Sequence, residues 1–248
     1  MKVTLEKIYQ RLFKHFGPQH WWPGETRIEI IVGAILTQNT NWGNVKKAIH
    51  NLKLKGKLSA QALYDIPVSE LASLIRPAGY FNAKAKRLKN FIHYLFKEYD
   101  GALEKMAREP FEILRPKLLS VNGIGPETAD SILLYAFAKP VFVVDAYTKR
   151  IFYRHNLSPL KADYTTHQNI FMNTLEEDAQ MFNEYHALLV NLGKDFCRPR
   201  PRCEECPLRD IRYSLVYKCQ KCHRALPDLK DRIPLKPPPE GFLCRECR

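Results

Sequence analysis

The chain has 248 residues, 45% of them hydrophobic, enough to bury a real core in one large domain or two small ones. Thirty-nine Lys and Arg against 26 Asp and Glu give a formal net charge of +13. Such an excess favours polyanionic partners, nucleic acid first among them, although charge alone also fits a basic protein that never meets DNA. No run of eighteen apolar residues is present, so no membrane span is expected.

The elements read as mostly helical, and the expected fold class is all-α. Leu5, Ile8, Tyr9, Leu12, Phe13 and Phe16 recur at helical spacing with charges between them, which predicts an amphipathic helix of the mature fold and not a signal peptide. The chain is therefore expected to be intracellular, and its seven cysteines to be metal ligands or buried thiols. Thr26 to Gln38 is strongly apolar and long enough for a buried helix, and a second helix starts in "NTNWGNVKKAIHNL". Short helices follow in "SAQALYDIP" and "VSELASLIRPAG", closed by Pro67 and by Pro77-Ala-Gly79. "NAKAKRLKNFIHYLFKEY" is a basic amphipathic helix with Leu88, Phe91, Ile92 and Leu95 on one face. Its run Lys84, Lys86, Arg87, Lys89 reads as a solvated face that could meet phosphates. Asp163 to Leu192 holds further helical material.

At Gly123-Ile124-Gly125 a tight turn delivers the chain into a helix. Pro126 suits the first helical position, and Ala129, Ile132, Leu133 and Ala136 trace an apolar face. Two glycines allow unusual torsions and close approach of a ligand, and the N–H groups at such a helix end attract anions. The same residues also fit a plain loop. A dinucleotide fingerprint fails, because Thr128 stands where the third glycine belongs. Twenty residues after Gly125, Asp145 closes the apolar run Val141 to Val144. Before "AYTKRIFYR" it reads as a helix N-cap.

Together, "LLSVNGIGPETADSILLYAFAKPVFVVDAYTKR", "GAILTQNT", "IRPAGYFNAKAKRL" and "LGKDFCRPRPRCEECPL" resemble, in order, segments of the endonuclease III superfamily of helix-hairpin-helix DNA glycosylases. The resemblance runs from about residue 20 to about residue 210. "WWP" ahead of "GAILTQNT", with glutamate at 127, looks most like the 3-methyladenine DNA glycosylase III branch, MagIII. The resemblance implies a two-lobed helix-hairpin-helix fold: residues 26–138 form one helical domain with the hairpin, and 1–25 plus 139–210 a second lobe ending in an iron-sulfur-loop-like segment; 211–248 lies beyond the resemblance and is expected, on its cysteine spacing, to be a zinc-ribbon-like tail.

It also implies roles. Gly123, Ile124 and Gly125 would grip the DNA backbone, with Lys84 adding a contact, and Gln38 would fill the space left by a flipped base. Asp145 would stand at the sugar, where a fixed carboxylate stabilises oxocarbenium-like charge and orients water; the capping role does not exclude this. Glu127 occupies the position of the superfamily's Schiff-base lysine, and a carboxylate forms no imine. That points to a monofunctional glycosylase and away from a bifunctional glycosylase/AP lyase, while Asp145 argues against a non-catalytic nucleic-acid-binding protein. Trp21, Trp22 and Pro23 are candidates for the base pocket. Ordinary core is the other reading, but adjacent tryptophans in a helix or strand cannot both face one core. An aromatic wall suits cationic alkylated purines, 3-methyladenine foremost. The expected partner is damaged double-stranded DNA, bound by a monomer in the cytoplasm, at the nucleoid.

All seven cysteines lie from Cys197 onward, in a tail too poor in apolar residues to bury much core. Cys197, Cys203 and Cys206 are spaced C-x5-C-x2-C. The superfamily's [4Fe–4S] loop has a first gap of six and a fourth cysteine nearby, where Arg212 stands here. Cys219-x2-Cys222 and Cys244-x2-Cys247 form knuckles 21 residues apart, resembling a zinc ribbon with a gap just outside the usual range. Two partitions stay open: a four-cysteine zinc site beside an incomplete cluster, or a cluster completed by Cys219.

Overall fold

A computed structural model describes residues 1–155, 157–158 and 162–211. Every regular element among them is helical, and they divide into two compact units. One unit comprises His20–Val143 and Glu177–Asn183; the other comprises Met1–Gln19, Val144–Glu176 and the described residues from Glu184 on. Trp21, Trp22 and Pro23, grouped above with the N-terminal helix, belong to the unit that holds the hairpin.

In the hairpin unit, local sequence sets the helix starts. Thr26 caps α2 (Arg27–Leu36) by accepting the N–H of Glu29, and the Glu29 carboxylate accepts the N–H of Glu25 in return. This is a capping-box arrangement displaced by one residue. Asn41 caps α3 (Trp42–Leu54), and Ser59 caps α4 (Ala60–Asp65). Helix α2 is apolar on nearly every side and is buried accordingly, with Ile31, Val32, Ile35 and Leu36 inaccessible. After α5 (Val68–Leu74) and the 3-10 turn Arg76–Ala78, the long helix α6 (Phe81–Tyr99) buries Ala85, Leu88, Phe91, Ile92 and Leu95 completely.

Short helices α7 (Leu103–Arg108) and α8 (Phe111–Ser120) lead to the hairpin turn and α9 (Pro126–Ser131). Arg115 of α8 donates two hydrogen bonds to Asp130, at 2.7 and 3.1 Å, and Asp130 is fully buried. A carboxylate taken out of water needs such a bidentate partner. Helix α9 continues into a π-turn, Ile132–Ala136, whose residues are all buried.

In the other unit, α1 (Lys2–Phe16) buries Leu5, Ile8 and Leu12, as its sequence periodicity predicts. Helices α10 (Ala146–Arg154) and α11 (Tyr164–Met172) are capped by Asp145 and Asp163, each accepting an N–H at 2.7 Å. Helix α12 (Ala179–Asp195) starts among residues of the first unit and contributes Tyr185, Leu188, Leu189 and Leu192 to this core. The Tyr185 hydroxyl donates to Leu5 O at 2.9 Å, and its ring packs edge-on against Phe171.

Candidate functional site

In the hairpin unit, Gly123 has φ +93°, Gly125 has φ −91° and caps α9, and Gly125, Pro126 and Glu127 are exposed. The Ile124 side chain is buried and its N–H donates to Val121 O, so this residue closes the turn. A Cβ on Gly125 would meet nothing within 4 Å, which leaves the backbone there open to a ligand. Glu127 lies in the first turn of α9, where a negative charge complements the helix dipole.

Gln38 follows α2. Its amide nitrogen donates to Gly123 O at 3.2 Å and Thr128 Oγ1 at 2.8 Å, and its oxygen accepts from Arg87. The hairpin, the end of α2 and α6 thus meet at one side chain.

Lys84 is not on a solvated face. It is 1% exposed and its ammonium donates to Leu36 O at 2.9 Å and Ala78 O at 2.8 Å, satisfying carbonyls at the end of α2 and in the 3-10 turn. Burial, with the nearby Arg87 charge, brings its pKa down to about 8. Lys89 is likewise buried and donates to Leu63, Tyr64 and Ile66 carbonyls. Of the basic run, Lys86 is the exposed member. Both buried lysines are in helical register with Leu88 and Ile92 or beside them, and their charges are used to hold helix ends.

Trp21 and Trp22 lie in irregular backbone, so the rule that excludes adjacent side chains from one face does not apply. Both half-buried indoles join one aromatic group. Trp22 lies 4.9 Å from Tyr135 and 5.1 Å from Trp42, ring centre to ring centre, and 5.2 Å from Trp21. Gly33 makes room for this group, because a Cβ there would come 3.1 Å from Trp22 Nε1. That Nε1 is buried with no hydrogen-bond partner among the described residues. Pro23 is exposed at its edge. Trp42 and Tyr135 escaped the sequence reading, since each is remote from "WWP" along the chain. Tyr80, at φ +46° and 75% exposed, was passed over too; it is the most exposed aromatic side chain among the described residues.

In the other unit, Asp145 Oδ1 accepts the Thr148 N–H at 2.7 Å, while Oδ2 faces His186 Nε2 at 3.8 Å. The side chain is 14% exposed, so the carboxylate remains reachable. His186 is buried, and burial lowers its pKa; the Asp145 charge opposes this and Lys194 adds to it. The Thr148 hydroxyl, in the same helical turn, is buried without a hydrogen-bond partner among the described residues.

Helix α10 also braces the cysteine loop. Arg150 donates to Cys197 O at 2.7 Å and Gly193 O at 3.0 Å. Arg154 donates to Arg198 O at 2.6 Å and reaches Cys197 Sγ at 3.4 Å. Burial raises the Cys203 pKa, the neighbouring Cys206 and Cys197 raise it further, and Arg154 lowers it. The charges of Cys197, Cys206 and Arg154 are thus all felt at Cys203. Among the described residues no three His, Cys, Asp or Glu side chains stand at metal-ligand spacing. Cys219, Cys222, Cys244 and Cys247, with the zinc site assigned to them and the fourth cluster ligand, lie outside the described residues. No described helix is long and apolar enough to cross a membrane.

Comparison with known proteins places these features in context. A family profile described as "HhH-GPD superfamily base excision DNA repair protein" matches residues 32–177. A candidate DNA repair glycosylase of Methanocaldococcus jannaschii is 49% identical over 207 residues, covering 83% of this chain and 94% of that protein. The crystal structure of H. pylori 3-methyladenine DNA glycosylase (MagIII) bound to 1,N6-ethenoadenine is similar with a TM-score of 0.67 and 32% identity, over 77% of this chain and 97% of that one. A trapped endonuclease III–DNA covalent intermediate shares the fold with a TM-score of 0.72 at 20% identity, over 84% of this chain and 93% of that one.

Proposed function

Because the chain belongs to the HhH-GPD superfamily of base excision DNA repair proteins and is a DNA N-glycosylase, we propose that it is monofunctional. It flips alkylated purines out of damaged double-stranded DNA and hydrolyses their N-glycosidic bonds, with 3-methyladenine the foremost substrate. The observation that carries the substrate class is the aromatic group of Trp21, Trp22, Trp42 and Tyr135. Methylation at N3 or N7 makes a purine cationic, and a cation is drawn to indole faces. The same charge makes the base a good leaving group, so no strong general acid is needed. The 32% identity with a 3-methyladenine glycosylase holding a modified adenine supports this reading.

Asp145 is the residue assigned to the reaction. Its carboxylate stabilises positive charge developing on the sugar and orients the attacking water. Gly125 and the exposed start of α9 take a DNA phosphate, Gln38 fills the emptied stack, and Tyr80 is exposed to stack against bases of the opened duplex. The protein acts as a monomer at the nucleoid. A [4Fe–4S] cluster on Cys197, Cys203 and Cys206, with Cys219 as fourth ligand, and zinc on the C-x2-C pairs remain competing assignments on sequence spacing. Iron and zinc content of anaerobically purified protein decides between them.

The deciding experiment is chromatography of free bases released from methylated duplex DNA. Release of 3-methyladenine is expected; release of oxidised or deaminated pyrimidines alone would overturn the assignment. Glu127 at the Schiff-base position predicts no strand cleavage with base removal. Borohydride treatment with abasic DNA should trap no covalent adduct, and a strong adduct would mean that a lysine elsewhere acts as nucleophile.

A further inference from the structure

We propose that His186 is a positioning residue for Asp145, its buried imidazole fixing the orientation of the carboxylate oxygen that faces the reaction. The assignment rests on the reading of Asp145 as the carboxylate that stabilises the sugar cation.

The two oxygens of Asp145 have different surroundings. Oδ1 is committed to the Thr148 N–H at 2.7 Å, the cap of α10. Oδ2 is the oxygen left for chemistry, and the protein group opposite it is His186 Nε2 at 3.8 Å. That separation exceeds a hydrogen bond by about 0.6–1 Å, so the contact is electrostatic until the groups close on each other. In a buried setting such a dipole still acts strongly on a neighbouring charge.

Both backbones that carry this pair are fixed. Val144 donates its N–H to the Tyr164 hydroxyl at 3.4 Å, just ahead of Asp145. Gly193 lets the Tyr147 ring lie against α12, because a Cβ there would come 2.3 Å from Tyr147 Cδ1. Arg150 ties α10 to Gly193 O and Cys197 O. His186 itself is 5% exposed, between the fully buried Tyr185 and the buried Ala187 on α12. With the main chain held, the remaining freedom of Asp145 is rotation of its carboxylate. The cap restrains one oxygen and the imidazole the other.

Burial disfavours the charged form of His186. A neutral imidazole in the Nε2–H tautomer orients Oδ2 without cancelling the charge that the sugar cation requires. An arginine or lysine in the same place would form an ion pair and weaken that field.

The test is single-turnover base release by His186→Leu and His186→Gln, with affinity for abasic DNA and thermal midpoint measured alongside. His186→Leu keeps volume and removes the donor, and should slow base release about 10- to 100-fold with DNA affinity unchanged. His186→Gln retains an N–H and should recover most of the loss. In the Asp145→Asn background, His186→Leu should have no further effect, since the group it positions is gone. A His186→Leu enzyme at wild-type speed, or equal losses for Leu and Gln, would overturn the assignment. If His186→Leu does not fold, His186→Asn, whose amide is too short to reach Oδ2, replaces it. Normal turnover by Asp145→Asn would instead refute the reading of Asp145. An inactive Asp145→Asn beside a fully active His186→Leu would refute His186 alone.

Discussion

The side chain of Arg87 fills the space that a Cβ on Gly123 would need: that atom would lie 2.3 Å from Arg87 Cγ. Gly123 is also at φ +93°. Two features of the protein itself therefore demand a glycine, before any ligand is considered. Gly125 differs, with φ −91° and open space around it. Gly123→Ala is expected to lose about 2–4 kcal/mol of stability in urea denaturation, from backbone strain plus overpacking. Gly125→Ala should stay within about 0.5 kcal/mol of wild type and weaken DNA binding instead. Equal losses of stability in the two variants would contradict this division.

Asp145 holds a helix end and, in the proposed mechanism, the sugar cation; two substitutions separate the roles. Asparagine caps a helix as well as aspartate does, so Asp145→Asn should leave the thermal midpoint nearly unchanged while base release falls by orders of magnitude. Asp145→Ala should lose the same activity and about 1 kcal/mol of stability besides. Near-normal base release by Asp145→Asn would reduce the residue to its cap.

Lys84 predicts an effect on folding and none on phosphate binding. Lys84→Met leaves the Leu36 and Ala78 carbonyls without their donor and should cost about 2–3 kcal/mol. The salt dependence of DNA binding should keep its wild-type slope. Lys86→Ala, at an exposed position, should reduce that slope by about 1. A reduced slope for Lys84→Met, with stability intact, would return Lys84 to the DNA interface.

Acid should weaken the fold through His155. Burial, aided by the Arg154 charge, lowers its pKa from 6.5 to about 4. Between those values the unfolded chain binds a proton that the folded chain refuses. Stability is therefore full above pH 6.5 and lost as pH falls toward 4, by about 3 kcal/mol at the lower end. His186, shifted in the same direction by burial, adds to the slope. Denaturation between pH 7 and 4 should show this loss, and His155→Leu should flatten it. An unchanged slope in that variant would place the acid sensitivity elsewhere.

The all-helical class and most helix starts were legible in the chain, because they depend on local chemistry: Thr26 with Glu29, Asn41, Ser59, Asp145 and Asp163 are side chains that satisfy free N–H groups in any context. Lys84 was misread although its signal was present. It precedes Leu88 by four residues and so belongs to the apolar stripe of α6, where a lysine must find carbonyl partners. The aromatic group was only half legible. Trp21 and Trp22 announce themselves, but Trp42 joins them through the folding of α3, and no local pattern encodes that. His186 was invisible for the same reason: its relation to Asp145 exists only once α10 lies on α12.

Tyr135 meets Trp22 from within the π-turn Ile132–Ala136. Such a turn holds one residue more than the regular helical ladder, so every side chain beyond it is advanced by about 100° relative to an uninterrupted helix. The phase of this aromatic contact is set by the number of residues in the turn as well as by which residues they are. A one-residue deletion within Ile132–Ala136 is therefore expected to disturb the Trp22–Tyr135 contact even where every aromatic side chain is kept.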